Sequence, residues 1–266
     1  MRYRVSKPAI LASAVFAVLL AFPGSQGAAQ GRGGDRDWIE RMTAREESNQ
    51  HYDLAPGARV SVTGIAGPVT VETGAGNRVE VSILRMAESQ RELDCYRTEV
   101  HASRSSVEIE HVQRSSDRDC RSIRARQEVR LRVPRSASLD LSTVAGEVRV
   151  APIEGTVRME SIAGRVTLAG ARSANLSSLA GGLTMTVDPI RSPGVRISSV
   201  VGPVDLSFGR GVDADERLDS VMGSVRSESP GLDISEGYGV YRARIGSAGP
   251  AVSVSSIVGP VRLRRF

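Results

Sequence analysis

A short phrase centred on glycine recurs along this chain of 266 residues. In each copy a Ser/Thr-rich pair precedes an aliphatic residue, any residue and a glycine, and alternating aliphatic residues follow. The copies are TGIAGPVTV (63–71), STVAGEVRV (142–150), SIAGRVTL (161–168), SSLAGGLTM (177–185), SSVVGPVDL (198–206), DSVMGSVRS (219–227), SSIVGPVRL (255–263) and a degenerate SEGYGVYRA (235–243). A period near 20 residues with two short apolar runs is typical of a stacked solenoid.

The repeats predict an all-β fold: a β-solenoid, built as a single-chain β-helix with a right-handed coil. Within each unit apolar residues alternate with polar ones, so two short strands would point their aliphatic side chains inward and meet at the glycine. The glycine is expected to supply a corner with positive φ. These structural turn glycines are Gly67, Gly146, Gly164, Gly181, Gly202, Gly223, Gly239 and Gly259. A sandwich of nested hairpins is the competing architecture, but the phrase recurs at one strand position in every unit.

The first residues, 1–29, read as a signal peptide. Arg2, Arg4 and Lys7 precede an apolar run over 10–22, and small residues follow at 27–29. A helix that spans a bilayer needs about 20 apolar residues, so a cleaved secretory signal is favoured over a membrane anchor. We therefore expect an exported protein, periplasmic or at the cell surface or extracellular, with no transmembrane segment after signal cleavage.

Composition divides the rest of the chain into three parts. Residues 30–48 form a polar linker, in which 37–48 favour a short amphipathic helix because Trp38, Ile39 and Met42 share one side. Residues 49–135 form an N-terminal β-section interrupted by a long hairpin insertion, and 136–266 form the repeat solenoid.

Two cysteines, Cys95 and Cys120, remain in the exported part. Paired as a disulfide, they would close a loop of about 25 residues and stabilise the fold by roughly 3 kcal/mol. A metal pair is the alternative, but His101 and His111 lie between the cysteines without the spacing of a zinc site.

Two stretches, HYDLAPGARVSVTGIAGPVTVETGAGNRVEVSI (51–83) and VRLRVPRSASLDLSTVAGEVRVAPIEGTVRMESIAGRVTL (129–168), resemble the bacterial "putative adhesin" domain family of unknown function. Shared features are a first strand pair that begins at glycine, a strand that ends in Val-Pro, and repeated Ser-x-x-Gly-x-Val units. The resemblance covers roughly 51–263 and implies a β-solenoid with an adhesin-like role. It brings no catalytic residues, and the Cys95–Cys120 excursion departs from the family pattern.

Catalysis in a β-helix needs acids brought together on neighbouring units. The repeats offer one carboxylate in the relevant column, Asp205, and none beside it. We therefore expect no enzyme, no cofactor and no metal site. The alternative is a carbohydrate-active β-helix enzyme, a polysaccharide lyase or hydrolase, in which Asp205 would meet an arginine or a second acid in a groove. Asp213, Asp215 and Glu216 lack calcium-loop spacing and read as a solvated loop.

Arginines give the best candidate for binding. Arg226, Arg242 and Arg262 are expected in one column on the last three units, an arginine ladder that would bind an anion. A second basic run spans 114–135. The partner would be an acidic glycan, a lipid headgroup or an envelope protein, and the alternative is a solvated face. Without 1–29 the chain carries 32 basic and 30 acidic residues, and its basic faces lack stacking aromatics, so nucleic acid is not expected. The role predicted is a binding or scaffold module, with an envelope signalling accessory as a further alternative.

Overall fold

Strands dominate the structure, a computed structural model that describes residues 42–113, 120, 125–188, 191, 193–209, 211–228, 234–237, 240–245 and 249–266. The predicted signal peptide, most of the predicted linker and Gly239 lie outside these residues. Among the described residues, a short helix, α1 (Gln90–Cys95), accompanies the strands. Its first turn is capped by the Ser89 hydroxyl, which accepts a hydrogen bond from the Glu92 amide. No helix in the described part is long and apolar enough to cross a membrane.

The strands form two sheets. In spatial order, the first sheet contains β1 (Ala44–Asp53), β4 (Arg78–Ala87), β7 (Ala125–Pro134), β3 (Val69–Gly74), β9 (Val148–Val150), β11 (Val166–Leu168), β13 (Leu183–Val187), β15 (Val204–Phe208), β21 (Val261–Arg265) and β17 (Val225–Ser227). The second contains β18 (Ile234–Gly237), β19 (Val240–Ile245), β16 (Ala214–Met222), β20 (Ala251–Val258), β14 (Val195–Val201), β12 (Ala171–Ala180), β10 (Ile153–Ala163), β8 (Ser138–Ala145), β2 (Arg59–Thr63), β6 (Ser106–Gln113) and β5 (Tyr96–Ala102).

Each repeat except the degenerate one supplies one strand to each sheet, and we call such a strand pair a unit. Neighbouring units pair in parallel and in register, as in Val157 opposite Leu139 and Leu176 opposite Met159. Aliphatic side chains therefore stack in columns, and the buried faces of both sheets contribute to one hydrophobic cluster. The N-terminal section shares this core, because β2 pairs with β8 and β3 pairs with β9.

The glycine corners are packed backbone against backbone. The Gly164 amide donates to the carbonyl of Ala180 in the next unit, 2.8 Å away. Gly164 has a φ of +150°, and a β-carbon there would overlap the carbonyl oxygen of Gly146. Gly146 itself has no positive φ in the structure, yet its β-carbon would overlap the Gly67 carbonyl. Close approach of consecutive corners, as well as dihedral freedom, therefore demands glycine.

A second feature of the corner lies three residues before the glycine. Thr143, Ser161, Ser178 and Ser199 all have φ between +52° and +57°, and Gly64 takes the same place in the β2–β3 unit with φ +77°. This left-handed conformation is energetically unfavourable for residues with a β-carbon, and it is less so for small polar residues than for β-branched apolar ones. One residue of the Ser/Thr-rich pair thus adopts the left-handed conformation that the corner requires.

Two sequence predictions about the chain course are wrong. Residues 44–48, expected at the end of a short helix, begin strand β1, which pairs antiparallel with β4 over its whole length. Pairing with an available sheet edge outweighs the helical pattern of a segment too short to be stable alone. The units also do not stack in chain order. The last unit, β20–β21, lies between β14–β15 and β16–β17, while β19 pairs with the outer edge of β16.

The insertion returns the chain to the beginning of the stack. After β3, the chain forms β4, α1 and β5 and then a unit, β6–β7, which lies outside β2–β3. The predicted disulfide is present: Cys95 ends α1 and bonds to Cys120, with Cα atoms 5.6 Å apart. It joins α1 to the connection between β6 and β7.

Candidate functional site

The outer face of the first sheet carries the charged side chains of the repeats. Its strands alternate buried aliphatic residues with exposed polar ones, as in the exposed Arg149 between Val148 and Val150. In-register pairing lines up the exposed positions of successive units. Two parts of this face are candidates for binding: a charged cluster on β15, β21 and β17, and a groove over β1, β4, β7 and β3.

The predicted arginine ladder is only partly assembled. Arg226 and Arg262 lie opposite each other on β17 and β21, and Asp205 on β15 is the next residue in the same column. Arg242 belongs to the other sheet, where β19 places it opposite Arg217. A single column of three arginines is therefore wrong, because it assumed that the units stack in chain order and that 235–243 form a regular unit.

The charged cluster neutralises most of its own charge. The Arg262 guanidinium lies 3.4 Å from Asp205 and 3.9 Å from Glu228, and Arg264 donates to Glu228 at 2.6 Å. The hydrogen bond from Arg264, helped by the positive charges nearby, lowers the pKa of Glu228. Arg226 is exposed, and its charge contributes to the lowered pKa of Glu228, but among the described residues no carboxylate lies within ion-pair distance of it. The cluster thus offers an anion one arginine that is not held in a direct ion pair.

A groove lies at the other end of this face. It has a volume of about 480 Å³ and is lined by Asn49, Gln50, His51, Thr70, Glu72, Arg78, Glu80, Val81, Ser82, Arg130, Leu131 and Arg132. The long antiparallel strands β1 and β4 extend the parallel sheet here, so side chains from four neighbouring strands surround one open hollow. Its walls combine guanidinium, carboxylate, amide and hydroxyl groups.

The strand register arranges the side chains that line the groove in two rows, which run across the strands. One row contains Glu72, Arg132, Glu80 and His51, and the other contains Thr70, Arg130, Ser82 and Asn49. Acid and base alternate in the first row, which favours cross-strand attraction. The second row is mostly uncharged and offers donors and acceptors together.

Arg132 is the arginine of this groove most available to a ligand. Arg78 pairs with Asp53 at 3.0 Å, and Arg130 pairs with Glu128 at 2.6 Å. Among the described residues no carboxylate lies within ion-pair distance of Arg132. A β-carbon at Gly74 would lie 3.0 Å from its Nε, so the arginine side chain lies across a glycine that leaves it room.

The basic run predicted over 114–135 contributes to this groove through Arg130 and Arg132, while 114–119 and 121–124 lie outside the described residues. The alternation over 79–84 predicts the strand that became β4, but the groove itself was not predicted. It depends on the antiparallel pairing of β1 with β4 and β7, which joins segments whose local pattern does not specify their neighbours.

A carbohydrate-active enzyme would need Asp205 beside an arginine or a second acid in a groove, and the structure meets this requirement only in part. Asp205 does meet an arginine, Arg262, but the pair lies on the open face of the sheet and does not line the groove. A general acid needs a raised pKa, whereas that of the neighbouring Glu228 is lowered. Burial does raise the pKa of Glu216 to about 8, but that carboxyl is 3 % exposed. A buried acid of this kind does not reach a polysaccharide.

Glu216 also corrects an expectation. The acidic stretch 213–216 was predicted as a solvated loop, but β16 begins at Ala214 and directs Glu216 into the core, opposite Val252 of β20. Alternation in the strand decides its direction, since Ala214 and Leu218 on the same side are also buried. Neither carboxyl oxygen has a hydrogen-bond partner.

Comparison with known proteins gives structural similarity at low sequence identity. No protein-family model matches the chain, and no curated protein matches it. A putative cell adhesion protein from Clostridium sporogenes aligns with 83 % of this chain and 100 % of its own, with 11 % identity and a TM-score of 0.47. A putative adhesin from Bacteroides fragilis aligns over 83 % and 97 %, with 11 % identity and a TM-score of 0.40. A putative lipid binding protein from Parabacteroides distasonis aligns over 83 % and 96 %, with 9 % identity and a TM-score of 0.29.

Proposed function

We propose that this protein is an exported, non-enzymatic, adhesin-like binding or scaffold module of the bacterial cell envelope, and that the groove over β1, β4, β7 and β3 binds an acidic glycan. The scaffold would be a β-solenoid with a right-handed coil, extended at its N-terminal end by antiparallel strands. The observation that carries the proposal is the groove itself, with Arg132 unpaired in a row of polar side chains.

An acidic glycan fits the chemistry of both rows. A guanidinium binds a carboxylate through two parallel hydrogen bonds, so Arg132 is suited to a uronic acid. The hydroxyl and amide groups of Thr70, Ser82 and Asn49 can donate to and accept from sugar hydroxyls. Across the whole groove lining, Glu72 and Glu80 offset two of the three arginines, and the small positive excess that remains disfavours indiscriminate binding of polyanions.

Export is supported by the disulfide. Cys95 and Cys120 form one bond and no free cysteine is left among them. Such bonds persist in oxidising compartments such as the periplasm and the cell surface, and they are rare in the cytosol.

The proposal is tested by binding of a uronic-acid oligosaccharide and its neutral counterpart, measured by calorimetry at two salt concentrations. Arg132→Gln should weaken binding of the acidic probe, since losing a charged hydrogen bond costs about 1.5–3 kcal/mol, or roughly ten- to a hundredfold in affinity. Arg226→Gln is the matched control on the same face, because it removes an exposed arginine outside the groove. Higher salt should weaken the acidic probe more than the neutral one.

The control also separates the alternatives. Loss of binding in Arg226→Gln with retention in Arg132→Gln would place the ligand on the charged cluster instead of the groove. Equal affinity of both variants and the wild type would contradict an arginine-based site. Incubation with the parent polysaccharide, followed by an assay for new reducing ends, tests the carbohydrate-active enzyme, which the appearance of shorter products would support.

A further inference from the structure

The hairpin β5–β6 forms the edge of the second sheet, beside the first repeats. Its inner side packs against the core through the buried Val107 and Ile109, so the alternate residues point outward. Glu99 on β5 lies directly opposite Glu110 on β6, and His101 lies directly opposite Glu108. Three carboxylates and one imidazole therefore share one exposed patch of two neighbouring strands.

Three of these side chains already converge. The Nε2 atom of His101 lies 3.5 Å from a carboxyl oxygen of Glu99 and 3.5 Å from one of Glu110. One ligand atom from each of the three residues lies within 4.8 Å of the other two. Ligands bound at about 2.1 Å to one tetrahedral ion are roughly 3.4 Å apart. The imidazole nitrogen thus lies at coordinating separation from both oxygens without any rearrangement of the backbone.

The charge arrangement is unfavourable without a cation. Like charges directly opposite each other on paired strands destabilise a sheet, and Glu99 and Glu110 are such a pair. Among the residues that the structure describes, their carboxylates lie beside His101 and form no ion pair with an arginine. One imidazole carries at most a single positive charge and cannot compensate two carboxylates, whereas a divalent cation would compensate both.

We propose that Glu99, His101 and Glu110 form a binding site for a divalent transition metal, with Zn²⁺ as the best-matched ion. An imidazole nitrogen with two carboxylate oxygens is a ligand set that zinc accepts, and it differs from the all-oxygen sets of calcium and magnesium. Water would complete the coordination, because the three side chains are about half exposed, at 48 %, 59 % and 52 %. Glu108 lies on the same face as a further carboxylate.

Bound metal would have a structural consequence that follows from the ligands' positions. Glu99 and His101 belong to the edge strand β5, while Glu110 belongs to β6, which pairs with β2 of the stack. Coordination would therefore fix the edge strand to the body of the sheet. Edge strands that are held or covered are protected against pairing with other chains.

Calorimetric titration of the untagged, mature protein with Zn²⁺ tests the proposal. We expect one saturable site, with affinity reduced by at least about tenfold in His101→Asn and in Glu110→Gln. His51→Asn is the matched control, since His51 is also an exposed histidine on a strand but lines the groove of the first sheet. Mg²⁺ and Ca²⁺ should bind more weakly than Zn²⁺.

A second readout uses Co²⁺, whose visible absorption reports a tetrahedral site in the wild type and should vanish in His101→Asn. The thermal midpoint of the wild type should rise with added Zn²⁺, and that of His101→Asn should not. Absence of saturable Zn²⁺ binding by the wild type would overturn the proposal, as would unchanged affinity in His101→Asn and Glu110→Gln.

Discussion

The two ends of the stack close the same core in different ways. At the N-terminal end the β6–β7 unit continues the columns of the repeats with apolar residues: Val107, Ile109, Val129 and Leu131. At the C-terminal end Glu216 and Ser227 occupy the corresponding columns, opposite Val252 and Leu263. The corner residue before the glycine, alanine in the early units, becomes Met222 there and is 73 % exposed. The apolar columns thus continue through the N-terminal unit and are interrupted by polar residues at the C-terminal end.

Covalent and polar links hold the N-terminal end. The largely buried Arg85 of β4 donates to the carbonyls of Leu93 and Tyr96, at 3.0 Å and 2.5 Å, and pairs with Glu46 of β1. The disulfide ties α1 to the same region. A stack of repeats needs its terminal units capped, and here one end has a specific cap while the other ends in an antiparallel strand pair, β18–β19.

The requirement for glycine at the corner also differs between the terminal unit and the units inside the stack. Gln127 takes the corner position in the β6–β7 unit, where its amide donates to the Ala66 carbonyl. No unit lies beyond it, so its β-carbon meets no glycine carbonyl, and its buried side chain donates to Thr98 at 2.7 Å. The terminal position tolerates a side chain because the close approach that excludes one exists only between consecutive corners.

The largest effect is expected from Gly67→Ala. Its β-carbon would overlap the Gln127 carbonyl, and the β2–β3 unit lies between two others and has no room to move. We expect a loss of more than about 3 kcal/mol in the free energy of unfolding, measured with urea. Gly223→Ala overlaps the Gly259 carbonyl, but β17 is an edge strand that can yield, so about 1–2 kcal/mol is expected.

Gly76→Ala is the control for the glycine pair, because a β-carbon there meets nothing within 4 Å and only the φ of +84° is unfavourable. It should cost about 1 kcal/mol. Equal losses at Gly67 and Gly223 would contradict the difference between the ends.

The disulfide should have the next largest effect. Replacing Cys95 and Cys120 by serine removes a link between residues 25 apart, which should lower the free energy of unfolding by about 3 kcal/mol. Hydrogen exchange should accelerate in β5 and β6 while β14 in the middle of the stack keeps its protection. Uniform acceleration throughout the chain would show that the disulfide stabilises the whole stack and not one end.

Glu216→Val should stabilise the C-terminal end. Its carboxyl is buried without hydrogen bonds, and replacing it by the residue type found in the next unit, Val252, should raise the free energy of unfolding by about 1–3 kcal/mol at neutral pH.

The same residue predicts a pH dependence. Burial raises the folded-state pKa of Glu216 from 4.5 to about 8, so the unfolded chain ionises at lower pH than the folded one. Its contribution to stability is fully present below the unfolded pKa and is lost as pH rises through about 8. Urea unfolding between about pH 5 and about pH 9 should show this decline in the wild type and lack it in Glu216→Val. A decline that persists in the variant would assign it to another group.

Sequence reasoning reached furthest where the determinants are local. The alternation in 139–150 specified which side chains of β8 and β9 are buried, and the pairing of Cys95 with Cys120 is confirmed. It failed for β1, whose strand conformation depends on pairing with β4, and for Arg242, whose sheet depends on the unit order. It considered His101 only beside the two cysteines, and the pairing of β5 with β6 is what brings Glu99 and Glu110 next to it.

The repeated glycine phrase by itself determined an all-β chain of short strand pairs that meet at glycine corners. Period-2 alternation is a property of neighbouring residues, so it can be read from one sequence. The close contact of successive corners joins residues of different units, and only the structure showed it. The tertiary structure alone decided the order of the units, the antiparallel extensions and hence which charged side chains meet. Those outcomes depend on which sheet edge is free when each strand pairs, a competition between distant segments that local pattern does not encode.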